Sequence, residues 1–133
     1  MCGITAFTGQ TSALPFLLQG LEKLEYRGYD SAGVTLVDSQ GLNTYKVKGR
    51  LSDLKEELKH QEHHQSTGIG HTRWATHGIP SQLNSHPHTN RSNTISIVHN
   101  GIIENHQAIR NYLKEVGYPF VSQTDSECIV HLI

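Results

Sequence analysis

Met1-Cys2-Gly3-Ile4-Thr5-Ala6-Phe7-Thr8-Gly9 opens the chain, and the fold follows from how this stretch is read. Gly3 to Thr8 is short, rich in small and β-branched residues, and stops at Gly9, which predicts a buried strand. Cys2 then stands at the head of that strand. Once Met1 is removed, as is usual before so small a residue, a thiol and a free α-amine belong to one residue. The amine, with an ordinary pKa of roughly 7.7–8.0, lies close to a thiol at about 8.5. Together they form a compact nucleophile–base pair that needs no partner residue. Position alone is also compatible with an incidental cysteine.

Outward from this strand, Leu14, Leu17, Leu18, Leu21 and Leu24 form a helical stripe, with Thr11 or Ser12 as N-cap and Pro15 in the first turn. Gly20 inside that stripe weakens the helix by about 1 kcal/mol relative to alanine and so points to close packing. Val34 to Val37 and Thr44 to Val47 read as a hairpin around Asp38-Ser39-Gln40-Gly41. Leu51, Leu54 and Leu58 predict a short helix behind Ser52. Thr67 to Thr72 and Thr94 to His99 read as strands, the second with Ile95, Ile97 and His99 on one face, and residues 78–93 between them read as loop. A helix is expected from about Asn105 to Val116, stopped by Gly117 and Pro119. Thr124-Asp125-Ser126-Glu127 has the form of a capping box ahead of Cys128, Ile129, Val130, Leu132 and Ile133. Interleaved strands and helices make the class α+β or layered α/β. The last apolar stripe runs to the end without a cap, which reads as the end of a fragment.

The 133 residues suit one domain, and Leu, Ile, Val and Phe make up 33 of them, enough for a real core. Net charge is −1 with both signs scattered, which argues against a nucleic-acid footprint or a polybasic membrane patch. No apolar run reaches the length of a membrane span and no signal-peptide pattern is present. With two cysteines, Cys2 and Cys128, the expectation is a cytoplasmic, reducing setting in which a cysteine is free or catalytic. His60, His63 and His64 have the i, i+3, i+4 spacing of ligands on one helical face, but their polar surroundings favour a solvated helix end; no metal and no cofactor is expected.

Two segments carry further chemistry. His71-Thr72-Arg73-Trp74-Ala75-Thr76-His77-Gly78 leaves a strand with an arginine fork, hydroxyls and an imidazole, a set suited to capturing a carboxylate. A surface arginine beside a core tryptophan is the plain alternative. His99-Asn100-Gly101 offers two neutral donors, the Asn100 amide and the Gly101 backbone N–H, as an oxyanion hole requires. Ordinary Asn-Gly turn chemistry is the alternative there.

In order and wording these stretches, with Leu24-Glu25-Tyr26-Arg27-Gly28-Tyr29-Asp30-Ser31-Ala32-Gly33, Asn84-Ser85-His86-Pro87-His88, the continuation Ile102 to His106 and Thr124-Asp125-Ser126-Glu127, resemble the glutaminase domain of class II (N-terminal-nucleophile) glutamine amidotransferases. The likeness covers essentially the whole chain and is greatest to the branch that aminates fructose 6-phosphate. It implies an αββα four-layer sandwich, present as its N-terminal portion, 1–133, with the sugar isomerase domains absent. It also implies Cys2 as the nucleophile forming a γ-glutamyl thioester, and Asn100 and Gly101 as the oxyanion site. By the same resemblance Arg73, with Thr76 and His77, takes the α-carboxylate of glutamine and Asp125 its α-ammonium. Trp74 is implicated in gating ammonia, and Arg27 supports the nucleophile. The implied partners are glutamine, fructose 6-phosphate only through the missing domains, and a second copy of the full-length chain. An amidophosphoribosyltransferase-type domain is the nearest rival, although that family usually reads differently at Tyr26 to Asp30. A truncated, non-catalytic fragment is the alternative from another class.

Overall fold

The computed structural model describes residues 2–133, apart from the side chain of Arg27. Strand β1 (Gly3–Thr8) has the predicted bounds. Helix α1 (Leu14–Leu24) follows, then a 3-10 turn (Glu25–Arg27) and the hairpin of β2 (Ser31–Asp38) and β3 (Gly41–Lys48). The hairpin is longer than its apolar runs, and its two-residue turn is held by Asp38 Oδ1, which accepts from Gln40 N at 2.8 Å. Helix α2 (Leu51–Leu58) and strand β4 (Thr67–Arg73) complete the first half. β1, β4, β2 and β3 lie in that order in one antiparallel sheet.

One face of this sheet is apolar. Ala32, Val34 and Leu36 of β2 meet Leu14, Leu17 and Leu21 of α1 and Leu51, Leu54 and Leu58 of α2 in a single buried cluster. Gly20 works as expected: a Cβ there would crowd the Thr5 methyl group, so its absence lets α1 settle on β1.

The other face is polar and carries the second half of the chain. Strands β5 (His88–Thr89) and β6 (Ser96–Ile97) pair antiparallel, α4 (Glu127–Leu132) packs on both, and α3 (His106–Glu115) packs on α4. The layers therefore run helices, sheet, sheet, helices, as the resemblance implies. Thr35 in β2 and Ser96 in β6 join the sheets by hydroxyls 2.8 Å apart. Gly33 provides the closest approach, since a Cβ there would overlap the His86 carbonyl oxygen. Between the sheets lie three buried imidazoles: His71 stacks on His86 at 4.2 Å between centroids, and His86 meets His88 at 4.6 Å. Burial holds all three below the ordinary histidine pKa, His71 at about 4, and the neighbouring Arg73 pushes each the same way.

Several local expectations are corrected. Ser12 does not cap α1; its hydroxyl donates to the His63 carbonyl at 2.7 Å, and Ala13 takes the N-cap position. α2 begins at Leu51, ahead of Ser52, because Asp53 accepts from Arg50 N and Tyr29 Oη from Leu51 N. It ends at Leu58, so His60, His63 and His64 share no helical face. The 94–99 strand shortens to Ser96–Ile97, matching a partner of only two residues inside the segment read as loop. The capping box is absent: Ser126 rather than Thr124 takes the N-cap position, and Glu127 accepts from Val121 N at 2.8 Å and Ser122 N at 2.7 Å. Among the described residues, no helix is long and apolar enough to cross a membrane.

Two outcomes follow from this packing. Gly33→Ala should lower the midpoint of urea unfolding. The usual gain of about 0.5–1 kcal/mol for replacing a strand glycine is outweighed by an overpacking cost of about 1–3 kcal/mol at the His86 carbonyl. An unchanged or raised midpoint would show that the sheets part freely. Stability should also fall on acidification from pH 6.5 towards 4. Over that window the unfolded chain takes up a proton at His71 that the folded state refuses, so stability rises with pH. The slope is up to about 1.4 kcal/mol per pH unit from this group, and His86 and His88 add with the same sign. Urea midpoints that stay level or rise between pH 7 and 5 would refute it.

Candidate active site

The register of β1 on β4 sets the site. Gly3 lies opposite Thr72, so one residue earlier Cys2 comes level with Arg73, on the face turned to the second sheet. Cys2 is free and half-buried, and its Sγ accepts from Trp74 N at 3.2 Å. Asp30, from the 24–33 motif, secures the exit of β4: its N–H donates to the Arg73 carbonyl at 2.7 Å, and its carboxylate accepts from Ala75 N at 2.7 Å.

Asn100 follows β6 and reaches back to Cys2. Its Nδ2 donates to the Cys2 carbonyl at 3.3 Å, and its Oδ1 lies 2.7 Å from His71 Nε2. Gly101 has φ 150°, a conformation that strains any other residue, and a Cβ there would also crowd the His99 ring at 3.0 Å.

Arg73 is 3% exposed. Its Nη2 donates to the His77 carbonyl, while Nη1 is buried without a protein partner. Burial lowers the pKa of the guanidinium, against the pull of Asp30, Cys2 and Asp125, but an arginine remains a cation. Asp125 is equally buried; one oxygen accepts from Ile103 N at 2.8 Å and the other lies 3.8 Å from His77 Nδ1. Two buried charges fix the loop ahead of Asp125. Arg110 of α3 donates to the Ser122 and Thr124 carbonyls at 3.0 and 2.7 Å, and Glu127 takes the Val121 and Ser122 amides. Carbonyls are thus held from one side and N–H groups from the other.

Cys2, Arg73, Trp74, Thr76, Asn100, Gly101 and Asp125 all line one cavity of about 150 Å3. That is below the roughly 300–1,000 Å3 of pockets for drug-sized ligands and suits a molecule of amino-acid size. A free thiol, neutral donors, a cation and an anion converge there, a set that could serve acyl chemistry on a small zwitterion. His77 sits behind the wall, beside Asp125 and edge-on to His106 at 4.7 Å. The expectation for Arg27 falls on a side chain outside the described residues, and Met1 also lies outside them. Sequence reasoning passed over Asp30, His71, His86, His99, Arg110 and Glu127 as site residues. The motifs did contain Asp30, His71, His86, His99 and Glu127, but what singles them out is their partners in space. Among the described residues, no group of three or more His, Cys, Asp or Glu side chains is placed to hold a metal ion.

Residues 44–133 match the model of the glutamine amidotransferase domain family. The chain is 56% identical over 133 residues to the glutamine–fructose-6-phosphate aminotransferase (isomerizing) of Clostridium tetani and 50% identical to that of Aquifex aeolicus. Each match covers all of this chain and 22% of the relative, so the chain spans about a fifth of the length of these curated relatives. Among solved structures, the glutamine phosphoribosylpyrophosphate amidotransferase of B. subtilis superposes with a TM-score of 0.83 over 99% of this chain and 29% of its own, at 24% identity, which speaks for the fold alone. An allosteric regulatory enzyme of purine biosynthesis superposes at 0.84 with 26% identity and the same coverage. These likenesses bear out the αββα architecture, and with 90 of its 133 residues inside the family model (44–133) the chain belongs to the glutamine amidotransferase domain family.

Proposed function

We propose that this domain hydrolyses glutamine to glutamate and ammonia through a thioester on Cys2. The observation that carries the reading is the convergence of Cys2, Asn100, Gly101, Arg73 and Asp125 on one small cavity. After removal of Met1, the neutral α-amine of Cys2 takes the thiol proton as Sγ attacks the side-chain amide carbon. The oxyanion that forms is met by Asn100 Nδ2 and the Gly101 N–H. The protonated amine then delivers its proton to the leaving nitrogen, ammonia departs, and a γ-glutamyl thioester remains. Water, deprotonated by the same amine, attacks the thioester, and collapse returns the thiol and releases glutamate.

The spare Nη1 donor of Arg73 takes the α-carboxylate, with Thr76 at the rim and His77 behind it, and Asp125 takes the α-ammonium. The half-exposed Trp74, whose N–H donates to Cys2 Sγ, would control passage of ammonia. In the full-length protein the ammonia would aminate fructose 6-phosphate, and that protein would assemble as a homo-oligomer in the cytoplasm. The acceptor is inferred from the names of the relatives, which are about five times the length of this chain. The supporting role of Arg27 is carried by the motif alone.

Two outcomes test the reading in the full-length protein. Active enzyme should start at Cys2 by mass spectrometry, and Cys2→Ala should neither release glutamate nor be labelled by a glutamine-like electrophile. Full turnover by a form proven to retain Met1 would refute it. Arg73→Ala and Asp125→Asn should each lower kcat/KM for glutamine roughly tenfold to over a hundredfold, the equivalent of about 1.5–3 kcal/mol per charge-assisted bond. Ammonia-driven amination should be largely spared in both. An equal loss with ammonia would remove these two residues from the glutamine site.

A further inference from the structure

The histidines between the sheets take no direct part in the proposed chemistry, yet one of them touches a group that does. We propose that His71 is a positioning residue for the oxyanion site, holding Asn100 Oδ1 so that Asn100 Nδ2 faces the reacting centre, with His86 bracing its ring. The proposal rests on the reading of Asn100 as an oxyanion donor.

A carboxamide has two ends of nearly equal size and opposite hydrogen-bonding sense, so an asparagine at a reaction centre helps only when its nitrogen points there. Asn100 is on an exposed loop, and its side chain is held by two contacts, His71 Nε2 at 2.7 Å and the Cys2 carbonyl at 3.3 Å. The Cys2 carbonyl selects the orientation, because it can only accept and so requires Nδ2. Oδ1 is then turned to His71, whose Nε2–H donates to it. The reversed amide would set its oxygen against the Cys2 carbonyl, oxygen facing oxygen.

His71 itself has little freedom. It is 1% exposed on β4, its ring stacks on His86 at 4.2 Å and 19°, and the His86 backbone is seated against Gly33. This gives a purpose to the Asn84-Ser85-His86-Pro87-His88 motif, which the catalytic reading leaves unused. His86 braces the ring that aims Asn100, while His88 ties the layer to the loop of Asp125 through Thr124 Oγ1 at 2.8 Å.

The test uses the full-length enzyme with Met1 removed, comparing His71→Leu, His71→Gln, Asn100→Ala and the double variant His71→Leu/Asn100→Ala in glutamate release. Asn100→Ala alone should lower kcat by about 10²–10³-fold, the loss typical of one oxyanion donor. His71→Leu should lower kcat by about tenfold to a hundredfold while KM changes by less than about threefold, because the donor is misaimed and ground-state binding is spared. His71→Gln, which keeps an N–H at a similar position, should restore most of the rate. In the Asn100→Ala background, His71→Leu should have no further effect. Losses that multiply in the double variant, an unchanged kcat in His71→Leu, or a loss confined to KM would each overturn the proposal. An Asn100→Ala variant with normal kcat would instead remove Asn100 from the oxyanion site, a failure of the underlying reading. Should His71→Leu not fold, 15N spectra of the histidine rings in the unaltered enzyme decide: a His71 Nε2–H tautomer supports the proposal, and an Nδ1–H tautomer overturns it.

Discussion

The pairing of β1 with β4 is the constraint on which the rest depends. It brings the residue just ahead of one strand level with the last residue of its neighbour, so Cys2 and Arg73 share one face although 71 residues apart. A slip of one residue would turn every side chain of β1 over and send Cys2 towards the helices. The helix-side face guards against that slip. Gly3, Gly68 and Gly70 occupy it, and a Cβ at any of them would strike Leu24, Leu17 or the Thr5 hydroxyl. Bulkier residues such as Ile4 and Ile69 could not take those places beneath α1. The packing of one face therefore determines the chemistry available on the other.

The face turned to the second sheet carries the cost of that chemistry. Its floor is built of His71, Arg73, His86 and His88 where an ordinary core would have leucines. Buried polar groups stabilise little and cost much when unpaired, and this floor leaves His71 Nδ1, Arg73 Nη1 and His86 Nδ1 without a protein partner. Keeping the imidazoles neutral avoids the larger penalty of buried charge. Of the buried charges, those on Arg110 and Glu127 are each met by two backbone partners and serve to lock the loop before Asp125. Rigidity in this half comes from hydrogen bonds, and in the helix-covered half from apolar packing.

That division explains what could be read from the sequence. β1, the stripe of α1, the hairpin and α3 (His106–Glu115) were legible because each is written in a local period or a terminating glycine. The start of α2, the length of the strand Ser96–Ile97 and the entry to α4 were misread because each is set by partners outside the element's own residue period. Tyr29 serves α2 from 22 residues away, and Glu127 serves the loop behind it rather than its own helix. The site divides in the same way. Cys2, Arg73, Asn100, Gly101 and Asp125 stood out because their chemistry is visible in the residue type. Asp30, His71 and Arg110 act by holding those residues, and a holding role has no signature until its partners are known.

Arg73 and Asp125 give the cavity its electrostatic character. Both are buried, both line it, and among the described residues no ion pair joins them. Each is satisfied by backbone on one side only: Arg73 Nη2 by the His77 carbonyl, Asp125 Oδ2 by the Ile103 amide. A direct ion pair would have been the simplest way to lower the cost of burying them, and it would have filled the cavity with its own members. Held apart instead, they leave opposite charges facing a space in which the adjacent ammonium and carboxylate of an α-amino acid can pair with both. On the proposed reading, the folded state carries this unpaired charge so that the amino acid supplies the missing partners, and both interactions orient its side-chain amide towards Cys2. Discrimination then comes from distance: a shorter side chain held by the same two charges would leave its amide carbon short of Sγ, and a longer one would press on Asn100 and Gly101.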